Sequence, residues 1–177
     1  MPAPIPVILV SHDPAWANQA QREGERLKSA IGDVIVAVHH IGSTAIPGIC
    51  AKPILDLIPV VRSLAALDIE RQTMEKLGYA WWGEYGLSGR RYCTFDDAET
   101  GHRVAQLHCF EQGSLEITRH LAFRDYLRSS PELAREYEAE KLRCRDQHPN
   151  DSHAYGDCKA AWIRRIEALA LSTGRAQ

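Results

Sequence analysis

The chain has 177 residues, 45% hydrophobic and 25% charged, an ordinary globular composition at a length where one domain buries roughly 70% of its unfolded surface. Collagen-like, disordered and mini-protein classes are excluded. Twenty-one Lys and Arg against 23 Asp and Glu leave a formal charge of −2, so no positive excess exists to hold long nucleic acid, and only a local site for a small anion is compatible.

The N-terminus, Met1 to Pro6, lacks the basic and apolar regions of a signal peptide. The longest apolar stretches, Ile5–Val10 and Ile54–Val61, fall far short of the roughly 18 residues that suggest a membrane span. The expectation is a soluble, cytoplasmic protein with no membrane partner. Five cysteines, Cys50, Cys93, Cys109, Cys144 and Cys158, are odd in number and form no C-x-x-C pair, so they read as free, reduced thiols.

Asp13-Pro14, followed by Trp16, Ala20, Glu23 and Leu27, predicts a capped amphipathic helix that lasts until Gly32. The β-branched run Val34–Ile41 then predicts a strand, stopped by Gly42-Ser43. After a short turn over 44–52, Pro53–Val61 predicts a central strand, apolar on both faces except at Asp56. Leu64, Leu67, Met74 and Leu77 predict one helix over 63–77, ended by Gly78. Three shorter strands follow, Tyr79–Trp82, Arg91–Phe95 and Val104–Phe110, two or three of them extending the sheet in antiparallel fashion. Beyond Gly113 the chain turns charged and amphipathic, predicting helices over 115–128, 131–147 and 152–171. The whole is one domain of α/β (α+β) class, with a sheet-containing core over 1–113 and a helical part over 114–177.

Chemistry concentrates after the first strand. In His40-Ile41-Gly42-Ser43-Thr44 a turn leaves backbone N–H groups free to face an anion, with the Ser43 hydroxyl as a further donor; a plain tight turn is the competing reading. Asp56 is an ionised carboxylate in an apolar run, where burial without a partner costs several kcal/mol. It therefore needs either a structural partner such as Lys52, Arg90 or Arg91, or a divalent cation or substrate.

The stretch HHIGSTAIPGICAKPILDLIPVV resembles the signature of the GrpB-like family, of the nucleotidyltransferase fold superfamily. The resemblance extends to Asp13-Pro14-x-Trp16, Gly89–Tyr92, Leu107-His108, His120–Arg128 and the helix with Tyr155, Lys159 and Ile163. It implies a nucleotidyltransferase-like small mixed sheet flanked by helices. It also implies a Gly-Ser turn holding nucleotide phosphates and two carboxylates at alternate strand positions binding a divalent metal, Mg or Mn. Gly42, Ser43 and Asp56 match that pattern, while Ile58 stands where the second carboxylate belongs.

The expected site follows from residues and resemblance together. Asp56 binds metal, with Glu84 of the Gly-rich connection as the candidate second oxygen ligand. Strand alternation sends Arg90 and Arg91 to opposite faces, so at most one reaches the site, and the resemblance implies Arg91 as the residue that neutralises phosphate. His108 orients or deprotonates the acceptor. His40, Thr44, Lys52 and Lys159 complete the nucleotide-binding set, Lys52 and Arg91 being equally able to pair with Asp56. The implied function is transfer of a nucleotidyl group from a nucleoside triphosphate to a small-molecule acceptor. The alternative is a catalytically degenerate member of the same fold, acting as a nucleotide- or metabolite-binding module or as an aid to a protein partner.

Overall fold

The structure, a computed structural model, describes residues 2–174. Helix α1 (Ala15–Ile31) leads through a short helical turn into strand β1 (Ile35–Ile41), and β2 (Leu55–Val61) follows after a loop. Two short helices, α2 (Leu64–Ile69) and α3 (Arg71–Lys76), precede β3 (Tyr79–Trp81), β4 (Arg90–Asp96) and β5 (Arg103–Glu111). The chain then runs through α4 (Leu115–Ser129), α5 (Pro131–Gln147) and α6 (Ser152–Gly174). The mixed α/β class and the helical C-terminal part agree with the sequence pattern.

The five strands form one mixed sheet in the order β1-β2-β5-β4-β3. Only β2 and β5 are parallel, so β3, β4 and β5 form the expected antiparallel extension. The sheet separates two apolar layers because alternate side chains on each strand point to opposite faces. Leu55, Leu57 and Val61 face α1, α2 and α3 with Leu27, Leu67 and Met74, whereas Ile58 and Val60 pack with Ile41, Phe110 and residues of α4. Leu57 and Ile58 are both fully buried, which explains why β2 reads as continuously apolar. Each such side chain contributes about 1.5–3 kcal/mol through burial.

Two expectations need correction. The helix predicted over 63–77 is broken at Glu70, whose backbone leaves the helical region. Ser63 caps the first piece by accepting from the Ala66 amide, and the Glu70 carboxylate accepts from the Thr73 hydroxyl in the second. The break keeps both Leu67 and Met74 on the core while leaving Ile69 exposed. The second correction concerns sulfur: Cys144 and Cys158 form a disulfide between α5 and α6, with Cα atoms 5.8 Å apart, and Cys50, Cys93 and Cys109 are free. That pairing arises from the packing of the two helices, which a count of cysteines and their spacing does not reveal.

Candidate functional site

The site lies on the sheet face covered by α4, α5 and α6. Antiparallel pairing of β1 and β2 sets Ile41 opposite Asp56, so the bend that begins at Gly42 starts beside the acid. On the other side Asp56 pairs with Gln106 of β5. Gly42 has φ +70°, a left-handed conformation that disfavours side chains, and a Cβ there would sit 2.5 Å from Asp56 Oδ2. Glycine is thus required twice, by conformation and by close approach.

Residues 43–45 form a single tight helical turn, in which the Ala45 and Ile46 amides donate to the carbonyls of Gly42 and Ser43. The amides of Ser43 and Thr44, at the start of the turn, lie outside that pattern. Helix α4 braces the bend from above. Arg124 donates to the His40 carbonyl at 3.0 Å and Arg128 to the Ala45 carbonyl at 2.7 Å, while Asp125 pairs with Arg124 at 2.7 Å. Helix α5 holds the next stretch: Lys141 donates to the Cys50 carbonyl, and the Cys50 amide donates to Glu138 Oε1 at 2.5 Å.

Above Asp56 opens a cavity of about 290 Å³. The bend supplies Gly42, Ser43 and Thr44, and the next loop supplies Lys52. Strand β5 contributes Gln106 and His108, and helix α4 contributes Arg119, His120 and Phe123. Tyr137 of α5 faces Ser43, and Tyr155, Lys159 and Glu167 of α6 close the far wall.

Asp56 is partly accessible, its side chain 30% exposed. Burial pushes its carboxyl up, but His108, with Lys52 and Lys159 behind it, outweighs burial and holds it below the ordinary carboxylate range. His108 Nε2 stands 3.5 Å from Asp56 Oδ1, and His108 Nδ1 stands 3.4 Å from an Arg90 guanidinium nitrogen. Arginine can only donate, so Nδ1 accepts and Nε2 carries the hydrogen aimed at Asp56. His108 therefore orients the acid. The Arg119–Glu167 pair neutralises itself across the cavity, and Arg119 donates to His120 Nε2 at 3.1 Å. Burial lowers His120 to about 3, so it is a neutral imidazole.

Lys52 and Lys159 flank one ring, their Nζ atoms 5.5 Å and 4.6 Å from the centroid of buried Tyr155. Burial, with the neighbouring Lys159 charge, lowers Lys52 to about 8, so it remains mostly protonated at neutral pH. Burial also lowers Lys159, partly offset by Asp56.

Gly42, Ser43, Thr44, Lys52, Asp56, His108 and Lys159 all line the cavity. Three residues predicted for the site do not. Arg91 points to the opposite sheet face, where it forms a two-pronged pair with Asp68 of α2 at 2.6 and 2.7 Å; the face predicted for Arg91 belongs to Arg90. Glu84 sits on the connecting loop with its side chain 52% exposed, accepting from the Gly89 amide at 2.8 Å, so it is not a partner of Asp56. His40 alternates away from the cavity and bonds Thr44 Oγ1 at 2.9 Å; burial lowers it to about 4. It supports the bend from behind.

Arg119, His120 and Glu167 escaped the sequence reading, whereas strand alternation already places Gln106, two residues before His108, on the same face. For the helical residues only the run His120–Arg128 hinted at a role, and Glu167 had no signal.

With Glu84 elsewhere, the oxygen donors suit one cation better than two. Among the described residues no group of three His, Cys, Asp or Glu side chains is placed to hold a metal unaided. Ile58, at the alternate position, is fully buried in apolar packing. The carboxylate of Asp56 has open lone pairs on an accessible cavity, and Mg²⁺ commonly binds through one carboxylate, substrate phosphates and waters. Asp56 fits that mode.

A family model described as GrpB protein matches residues 6–169. The UPF0157 protein YqkA of Bacillus subtilis (strain 168) is 42% identical over 93% of this chain, which spans only 47% of that protein's length. The Glutamate-rich protein GrpB of Alkalihalophilus pseudofirmus is 34% identical over 90% of this chain and 93% of its own. A crystal structure of the conserved protein GrpB from Enterococcus faecalis superposes with a TM-score of 0.86 at 36% identity, covering 94% of this chain and 98% of that one. No helix among the described residues is long and apolar enough to cross a membrane.

Proposed function

The chain belongs to the GrpB family, and from that premise we propose that its cleft handles nucleotides, transferring a nucleotidyl group from a nucleoside triphosphate to a small-molecule acceptor. The observation that carries the reading is the approach of Gly42 to Asp56, where a Cβ would lie 2.5 Å from the carboxylate oxygen. An anion-cradling bend, an ionised acid and two ammonium groups thereby meet in one partly open cavity.

In this reading the Ser43 and Thr44 amides and the Ser43 hydroxyl hold phosphate oxygens. Asp56 would hold a divalent ion brought with the nucleotide, an ion that would supply charge neutralisation on the phosphates and acidify the acceptor hydroxyl. His108 is a positioning residue that fixes the acid through Nε2, and Arg90 fixes His108 in turn. Lys52 and Lys159 offset the charge of the departing phosphates. The acceptor oxygen attacks the α-phosphorus, pyrophosphate leaves with the bridging electron pair, and the acceptor proton passes to water at the cleft mouth.

Calorimetric titration of wild type and Asp56→Asn with nucleoside triphosphates, with and without Mg²⁺ or Mn²⁺, tests the reading alongside an assay of pyrophosphate release. Metal-dependent binding that Asp56→Asn abolishes, with pyrophosphate released once acceptors are supplied, is expected. Equal nucleotide binding by both proteins, or none by either, overturns it. Ile58 favours a second reading, a binding module without turnover, whose signature is metal-dependent binding with no pyrophosphate from any acceptor.

A further inference from the structure

The cavity's charges do not balance. Arg119 is held between Glu167 on the cavity wall and Glu116 behind it, so among the residues that line the cavity two ammonium groups, Lys52 and Lys159, stand against one carboxylate without a cationic side-chain partner of its own, Asp56. Neither lysine has a carboxylate within 4.0 Å or a hydrogen-bond acceptor among the described residues. Contrast Lys141 close by, whose ammonium donates to the Cys50 carbonyl. Two half-buried cations held beside the same ring repel each other, an arrangement that costs free energy unless an anion completes it. Both open onto the cavity that contains the bend, so one elongated anion can touch the amides and both ammonium groups.

Where a second carboxylate would recruit a second cation, the fully buried Ile58 stands, while two lysine side chains line the same cavity. We infer that Lys52 and Lys159 form a two-ammonium clamp for the phosphate chain of the ligand, taking over the neutralisation a second metal ion would provide, so that the cleft accepts a polyphosphate with one divalent ion or none. The inference rests on the reading of the cleft as a phosphate site, but it needs neither turnover nor a metal at Asp56. Both ammonium groups lie within 5.5 Å of the Tyr155 ring centroid, whose π-system favours a nearby positive charge.

The probe is inorganic tripolyphosphate, titrated calorimetrically into the full chain in EDTA and again with Mn²⁺, whose bound stoichiometry is counted by electron paramagnetic resonance. The clamp predicts one-to-one binding in EDTA, weakened roughly ten-fold or more by Lys52→Gln and by Lys159→Gln, as expected for losing a charge-assisted hydrogen bond. Lys→Arg at either position restores most of the affinity, which separates lost charge from lost folding. Lys76→Gln, on an exposed helix of the opposite layer, leaves binding unchanged, and Asp56→Asn keeps or tightens it because a negative neighbour is removed. With Mn²⁺ present, no more than one ion binds per chain. No binding in EDTA, affinity within two-fold of wild type in both Lys→Gln variants, or two Mn²⁺ per chain overturns the clamp. Metal-free, lysine-dependent tripolyphosphate binding without nucleotide turnover would leave the clamp standing and sink the transferase reading alone.

Discussion

Gly42 joins fold and site at a single α-carbon. Gly42→Ala would force a methyl group to 2.5 Å from Asp56 Oδ2 and 2.9 Å from Asp56 Cβ, at a φ of +70°. The expected cost is about 2 kcal/mol or more in urea unfolding, with tripolyphosphate binding lost even where the variant is folded. A variant as stable as wild type would mean that bend and acid do not touch. The arginine pair gives a second contrast at this scale. Arg91→Met breaks a surface-side pair with Asp68 and should cost no more than about 1 kcal/mol while leaving phosphate binding intact. Arg90→Met releases His108 from its place beside Asp56 and should weaken metal-dependent nucleotide binding; the opposite ranking in calorimetry would reverse the assignment of strand faces. Much of the site was legible in individual residues. An acid in an apolar strand, a Gly-Ser bend after a strand, and Lys52 and Lys159 all reach the cavity. What misled was parity. Arg90 and Arg91 differ by one position, and the sequence contains no marker of which member a strand turns inward.

Among the elements, long segments were read accurately because periodicity accumulates with length, as in α5, whose bounds match the predicted 131–147. The 63–77 segment failed because two six-residue helices, each with its own polar start, mimic the apolar spacing of one longer helix. The disulfide is the feature least visible from sequence, since Cys144 and Cys158 meet only when α5 packs on α6. It closes a loop of sequence separation 14, for which chain entropy gives about 3 kcal/mol at most. Treatment with dithiothreitol should lower the stability of wild type toward that of Cys158→Ser, which itself should not respond. Insensitivity of wild type would mean that the two sulfurs are not joined.

For the whole molecule, the decisive feature is a sheet with separate apolar layers on its two faces, one beneath α1 to α3 and the other beneath the C-terminal helices. The second face carries the buried neutral imidazole of His120, lowered to about 3, and His40, lowered to about 4, stands at the bend beside it. Both values lie below the unfolded value of about 6.5, so below that pH the unfolded chain binds protons that the native state refuses. Stability is therefore fully present above about pH 6.5 and declines as pH falls toward 4. The depressed Asp56 carboxyl adds the same sign at lower pH. Urea midpoints taken from pH 7 to 4.5 should fall steadily, and His120→Gln should flatten the slope by about one proton. A level profile would show that these rings are not held neutral.

Lys159 lies in the last helix, far downstream of Gly42 and Asp56. On the ribosome, the bend and its acid emerge long before the lysine that faces them across the cavity. A nascent chain arrested after β5 would display the bend, Asp56 and Lys52 without the second ammonium group, that of Lys159. If the two lysines form the proposed clamp, two-point capture of a polyphosphate waits for translation of α6.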